Sequence, residues 1–236
     1  DEATSSNNRS DYKGNNNLAT NSTITRVEGI REGAANFTAS RLQVLNISDN
    51  TQLSSGGDND FTLATWAYLE NKDQSWSIAS KWGGTPATNE YVIYYSGGAT
   101  DRFAFSAAST VGGDEVEAVA TNAGSPIAGR WYFIVAWHDA VANSINISVN
   151  GIVNGTTRTG GVLDGTAAFE IGRRNGPTGT YIDGRIDEVG FWRRLLTQRE
   201  RTILFNQTGR YDNGNNVSAN TFKPYKGNFT SRVFEQ

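Results

Sequence analysis

The chain has 236 residues and a formal charge of -3, with a pI near 5.3, so it offers no broad basic field for nucleic acid. It contains no cysteine, which excludes disulfides and thiolate metal sites, and no apolar run approaches the roughly 20 residues needed to cross a bilayer as a helix. With 26 glycines, 4 prolines and turn signals throughout, one large all-β domain is expected rather than two small ones. The chain begins at Asp1 and has no methionine, which suggests a processed or excised fragment.

Residues 1–17 are polar and have no apolar face to bury, so on their own they would lack structure. Within them DYKGNNN, residues 11–17, offers a carboxylate, amide oxygens and backbone carbonyls freed by a glycine. That is the oxygen-rich chemistry a hard cation selects, with a plain solvated loop as the other reading.

From Gly33 the pattern turns strand-like, through GAANFT and RLQVL to FTLATWAYLE. Short strands follow at SWSIASKW, EYVIYYS, RFAFSAA and EVEAVA, separated by Gly, Asn, Asp or Pro at the spacing of antiparallel meanders. WYFIVAWH leads into INISVNGIVNGTT, whose Asn150-Gly151 is the strongest hairpin signal in the chain. AAFEIG gives one more strand before RRNGPTG. The stretch GRIDEVGFW is dense in β-branched and aromatic residues but carries Asp187 and Glu188, two carboxylates that need a reason in a mostly apolar strand. Thr197 and Glu200 then form a capping box for a short helix, which Ile203, Leu204 and Phe205 would dock and Gly209 would end. Beyond it the tail is loop-like, and its spaced aromatics Phe222, Tyr225, Phe229 and Phe234 suggest that it lies on something.

Nine Asn-X-Ser/Thr sequons begin at Asn8, Asn21, Asn36, Asn46, Asn146, Asn154, Asn206, Asn216 and Asn228. They read either as glycosylation acceptors or as chance products of an asparagine-rich chain, and Asn36 and Asn146 fall in predicted strands.

The succession FTLATW, Lys81-Trp82 at a strand end, GRWYFIVAWHD, SINISVNG, FEIG and DGRIDEVGFWRRLLTQRE resembles the laminin G-like, pentraxin-like branch of the concanavalin A-like lectin/glucanase superfamily over about residues 11–209. The resemblance implies an all-β jelly-roll sandwich of two curved antiparallel sheets with one short C-terminal helix. Departures from the family pattern are Arg193 in place of asparagine, Gly190 in place of a larger residue, and the polar terminal extensions. The domain division expected is 1–17 as a polar segment, 18–209 as the jelly roll and 210–236 as an extension. The family often holds a structural calcium between the N-terminal loop and the closing strand. This implies Asp187 as the leading ligand, with Asp11, Asn15, Asn16 and Gly33 as partners; the alternative is that Asp187 accepts backbone hydrogen bonds at a bulge and holds no metal.

For carbohydrate, the physics asks for aromatic planes flanked by polar groups. Trp82 stands at a strand end beside Gly83-Gly84, Trp137 points out of its sheet if Ile134 and Ala136 point in, and Tyr94 lies opposite Ile93 and Tyr95. These three are the candidate sugar contacts, although aromatics in a sandwich are more often core; Trp66, Trp131 and Trp192 are assigned to core or helix contact. A glucanase needs carboxylates paired on one strand face, and no such motif is present. Residues 114–117 read as an exposed edge or loop, His138 as a structural strand-end residue, and the pairs Arg173-Arg174 and Arg193-Arg194 could bind acidic glycans, although solvated salt-bridging faces are the commoner explanation. The expected function is a non-catalytic, calcium-stabilised, lectin-like domain outside the cell, its partner a glycan or protein surface. The alternative is a structural or adhesive component of a cell or virion surface, whose extensions contact other subunits.

Overall fold

The computed structural model describes residues 8–11, 16–31, 33–109, 114–158, 160–176 and 180–207. Asn15 and the tail beyond Gln207, with its four aromatics and the sequons at Asn216 and Asn228, lie outside the described residues.

Seventeen strands and one α-helix are described. In the first third of the chain they are β1 (Asn8–Arg9), β2 (Leu18–Thr20), β3 (Thr25–Val27), β4 (Ala34–Phe37), β5 (Leu45–Ile47) and β6 (Phe61–Leu69). The middle holds β7 (Trp76–Lys81), β8 (Tyr91–Ser96), β9 (Arg102–Ala108), β10 (Glu115–Val119), β11 (Trp131–Asp139), β12 (Ser144–Val149) and β13 (Ile152–Thr157). The last part holds β14 (Phe169–Ile171), β15 (Arg173–Arg174), β16 (Thr180–Tyr181), β17 (Gly184–Trp192) and the helix α1 (Gln198–Gln207).

Two antiparallel sheets form a jelly-roll sandwich. One runs β1-β2-β5-β14-β7-β8-β9-β10, the other β13-β12-β11-β6-β17-β4-β3, and β15 pairs only with β16. Alternation along each strand sends one set of side chains between the sheets. Phe61, Leu63 and Leu69 of β6 and Ile134 and Ala136 of β11 meet Tyr91 and Ile93 of β8 and Phe103 and Phe105 of β9, and all are at most 2% exposed. Each large apolar side chain so buried contributes about 1.5–3 kcal/mol relative to exposure. The Asn150-Gly151 turn joins β12 to β13, both residues at positive φ as a two-residue hairpin requires. β1 pairs with β2, and its Arg9, buried, donates through Nη2 to Ile24 O at 2.9 Å, which ties β1 to the segment before β3. β10, with Glu115 and Glu117 exposed, is an edge strand, as its acidic run predicts.

β17 contains a bulge. Asp187 pairs with Trp66 and Gly190 with Ala64, so two residues oppose one, and Glu188 takes φ 51. Without it Ile186 and Phe191 would face opposite sides; with it Ile186, Val189 and Phe191 all reach the core, and Phe191 stacks on Phe61 at 5.7 Å and Tyr91 at 5.6 Å. The interruption at Asp187-Glu188 therefore keeps both halves of the strand in register with one core.

α1 lies on the outer face of the seven-stranded sheet, where Leu204 and Phe205 pack against Trp66, Phe133 and Trp137, with Phe205 stacked on Trp66 at 5.7 Å. Its capping box is formed: Thr197 N donates to Glu200 Oε2 at 2.7 Å and Glu200 N to Thr197 Oγ1 at 3.2 Å.

Candidate functional site

The opposite outer face, that of the eight-stranded sheet, carries the polar chemistry. Strand alternation puts Ser77 and Ser80 of β7, Tyr94 of β8, Ser106 of β9, Glu117 of β10 and Glu170 of β14 on this side. The β15–β16 hairpin folds over part of it: Ser80 Oγ donates to Arg173 O at 2.8 Å, and the Ser77 and Thr180 hydroxyls lie 2.6 Å apart. What stays open is a pocket of about 210 Å³ at the strand ends, lined by Trp82, Gly84, Asn89, Glu115, Arg174, Asn175 and Gly176.

The pocket lies between the turn joining β7 to β8 and the β15–β16 hairpin. Lys81, the residue before Trp82, points inward and is fully buried, its Nζ 2.9 Å from Asp49 Oδ1 and 2.7 Å from Glu90 Oε2, with a further bond to Gly165 O. Burial raises the Glu90 carboxyl while Lys81 pulls it down, and this compensated cluster fixes the end of β7. Asn89 Oδ1 accepts Gly84 N at 2.7 Å, which shapes the turn after Trp82. Gly176, at φ 129, comes so close to that turn that a Cβ would lie 3.0 Å from Gly84 Cα, so the two rims meet backbone to backbone.

Over the aromatic floor lies Arg174, its guanidinium carbon 5.8 Å from the Trp82 ring centre and 5.7 Å from that of Tyr94. The neighbouring arginine is differently used. Arg173 Nε donates to Glu170 Oε2 at 2.9 Å and its Nη2 to Oε1, so the fork is spent on one buried carboxylate, which raises the Arg173 pKa. The Tyr94 hydroxyl donates to Glu117 Oε1; burial first and this bond second hold its pKa up, so it stays a protonated donor. Lost hydration raises the Glu115 carboxyl against the pull of Arg174.

Of the three aromatics read as sugar contacts, the structure brings two together. Trp82 and Tyr94 share this face, but Trp82 is only 4% exposed: it is a floor rather than an open platform. Trp137 does point out of its sheet, yet that face lies under α1, and Arg201 sits over its ring at 4.3 Å, so it faces the helix and not solvent. Sequence reasoning passed over Asn89 and Asn175, and set aside Glu115 as part of an exposed edge or loop and Arg174 as part of a solvated face. The available signal was Glu170-x-x-Arg173-Arg174, in which one carboxylate can neutralise only one of two cations.

The residues read as calcium ligands fall into two separate groups. Asp187 Oδ2 accepts Ile30 N at 2.8 Å and Arg31 N at 3.1 Å, and its Oδ1 accepts Glu188 N at 2.9 Å. Gly33 belongs to the same loop, since a Cβ at Gly29 would meet both Asp187 Oδ2 and Gly33 C. Asp11 instead accepts Asn16 N at 3.1 Å, and Asn16 Nδ2 donates to Gln52 Oε1 at 3.0 Å. The donor set around Asp187 is thus backbone N–H, which repels a cation, and burial raises its carboxyl pKa. The described residues of this set, which exclude Asn15, match the hydrogen-bonded bulge that was the alternative reading of Asp187. Among the described residues no cluster of three His, Asp or Glu side chains suits a metal. His138 is structural, with Nε2 2.8 Å from Asp58 Oδ1 and Nδ1 3.1 Å from Ser144 O.

Solved structures with this architecture include domain 4 of the extracellular GH43 arabinanase AbnA from Geobacillus stearothermophilus, in complex with arabinotriose, at 17% identity over 83% of this chain and 91% of that one, TM-score 0.64. The binding domain of Paraclostridial Mosquitocidal Protein 1 matches at 16% identity over 86% of this chain, TM-score 0.65, and this chain spans about half its length, 50%. The SAP-like pentraxin of Limulus polyphemus matches at 11% identity over 70% of this chain and 81% of that one, TM-score 0.50. Likeness at these identities establishes a shared fold, and no curated protein matches the chain. Residues 43–200, however, fit the laminin G-type model of the concanavalin A-like lectin/glucanases superfamily, and the chain belongs to that family.

Proposed function

We propose that this chain is a non-catalytic carbohydrate-binding domain that works outside the cell and seats a sugar in the pocket beneath Arg174. The observation that carries the reading is the convergence of a cation, an aromatic ring, two asparagines and a glutamate around one small pocket, with Tyr94 beside the cation. Sugar hydroxyls need such convergent donors and acceptors, and C–H patches need an aromatic wall. At about 210 Å³ the pocket is below the range of drug-sized sites and suits one ring at a chain end better than a long chain. The hairpin over the rest of the face supports the same preference, because it interrupts any groove along the strands. The arabinanase domain that shares the fold was solved with arabinotriose, which makes a binding role natural for this chain.

Hydrolysis has no support in the carboxylates of this face. Glu170 is locked by Arg173 and Glu117 is engaged by Tyr94, so no free pair flanks the pocket as acid and nucleophile. The expected result on a glycan array, followed by calorimetry, is selective binding that Arg174→Ala weakens about tenfold or more. Trp137→Ala, which empties a site under α1, lowers stability by about 3–5 kcal/mol and leaves the affinity unchanged. Absence of binding to any glycan would sink the reading.

A further inference from the structure

Arg174 is a guanidinium without a carboxylate bonded to it, although Glu115 lines the same pocket. Arg173 has Glu170, Arg194 has Glu200 and Arg185 has Glu70, each within 3.0 Å. The Arg174 side chain makes no hydrogen bond or ion pair with the described residues; its neighbours are the faces of Trp82 and Tyr94 and, at longer range, the Glu115 carboxyl. A ring face holds the guanidinium plane in place but takes none of its N–H donors, so the stack orients the fork without consuming it. Those donors border the pocket, whose other polar lining includes the amides of Asn89 and Asn175. One carboxylate, Glu115, also lines it, and lost hydration keeps that carboxyl raised although Arg174 pulls the other way.

We infer that the pocket selects an anionic sugar residue, with two oxygens of a carboxylate or sulfate ester received by the Arg174 fork and the ring's hydroxyls by Asn89 and Asn175. This rests on the reading of the pocket as a glycan site and adds the chemical class of the ligand. A planar, aromatic-backed guanidinium with free donors is matched to a two-oxygen anion, and the paired geometry is what separates arginine from lysine as a receptor. Neutral hydroxyls would use the amides equally well but would leave the fork unfilled. In a chain of net charge -3 such a local cation also attracts an anion that the surrounding surface disfavours, so selectivity comes from this one side chain.

The test is calorimetric titration of the full chain with matched oligosaccharides: galacturonic acid trimer, its methyl ester, a sulfated galactose trimer, the neutral galactose trimer, sialyllactose, lactose and arabinotriose. At least one acidic member is expected to bind about tenfold or more tighter than its neutral partner. Arg174→Gln removes that difference between acidic and neutral partners, and Arg174→Lys restores only part of it. Glu115→Gln tightens the acidic ligand alone, since it removes the one like charge in the pocket. The uronate, sialyl and sulfate arms tell the carboxylate from the ester. Neutral and acidic partners bound equally, or a preference untouched by Arg174→Gln, overturn the inference and leave the glycan site standing. Failure of every sugar here and on the wider array removes the glycan site itself.

Discussion

At the scale of single residues, Asp187 shows how the same side chain carries two opposite readings until its neighbours are known. A carboxylate in a closing strand resembles a cation ligand, but three backbone N–H groups converge on it from Ile30, Arg31 and Glu188. It acts as an anionic staple between the loop before β4 and the bulge in β17, and Thr65 Oγ1 reinforces the same point by donating to Asp187 O at 3.2 Å. Asp187→Ala leaves buried donors unpaired and should lower stability by roughly 2–3 kcal/mol in chemical denaturation. The wild-type melting temperature is expected to be the same with and without chelator, and so is that of the variant. A chelator-sensitive wild type whose sensitivity vanishes in Asp187→Ala would return the site to calcium.

At the scale of elements, α1 is fixed at its start by charge and along its length by aromatic contact. Glu200 accepts from Arg194, Thr197 N and Thr197 Oγ1, and the Arg194 pair first, with the cap bonds, pulls its carboxyl from 4.5 to about 2. A lowered folded pKa means that the contribution is present above pH 4.5 and is lost as pH falls through about 2. Melting temperatures measured across that window should fall with acidification, and Glu200→Gln, which keeps the polar cap but not the ion pair, should make the fall shallower. Asp101, also lowered to about 2 by Lys72 and its hydroxyl partners, leaves a residual slope. An identical acid limb in the variant would mean that the helix start is not anchored by this charge.

At the scale of the whole molecule, the sandwich separates duties between its two outer faces. One is sealed by α1 over Trp66, Phe133 and Trp137; the other is only partly covered by the β15–β16 hairpin and keeps the pocket. Stability is graded across the sheets in the same way. β6 lies between β11 and β17 and is buried on both faces, whereas β3 and β13 are edges, β13 with Ile152 46% and Val153 44% exposed. Hydrogen exchange should therefore be slowest in β6 and β11 and fastest in β1, β3 and β13. Amides of β13 protected as strongly as those of β6 would show instead that this edge is covered in solution.

Much of this was legible in the sequence, because its cause is local. The Asn150-Gly151 turn follows from the φ values those residues tolerate, the Thr197/Glu200 cap from a three-residue spacing, and the acidic edge of β10 from residues 114–117. Burial of Trp66 and the outward aim of Trp137 likewise follow from strand alternation. Alternation says which face a side chain takes but not what lies above that face, so it could not tell Trp137, roofed by a helix, from Tyr94, roofed by an arginine. The pocket depends on contacts across long separations: Trp82 and Tyr94 meet Arg174 only because β14 pairs with β7 and the following hairpin folds back over that pair. The sequence alone determined the long strands, the hairpin turn, the cap and the family, but not the short pairings of β1 to β3 and of β15 with β16, which are mostly polar runs too brief to show alternation; the partner of each charge, and hence that Arg174 is left without a bonded carboxylate, was decided only by the tertiary structure, since ion pairing depends on distances that no spacing along the chain specifies.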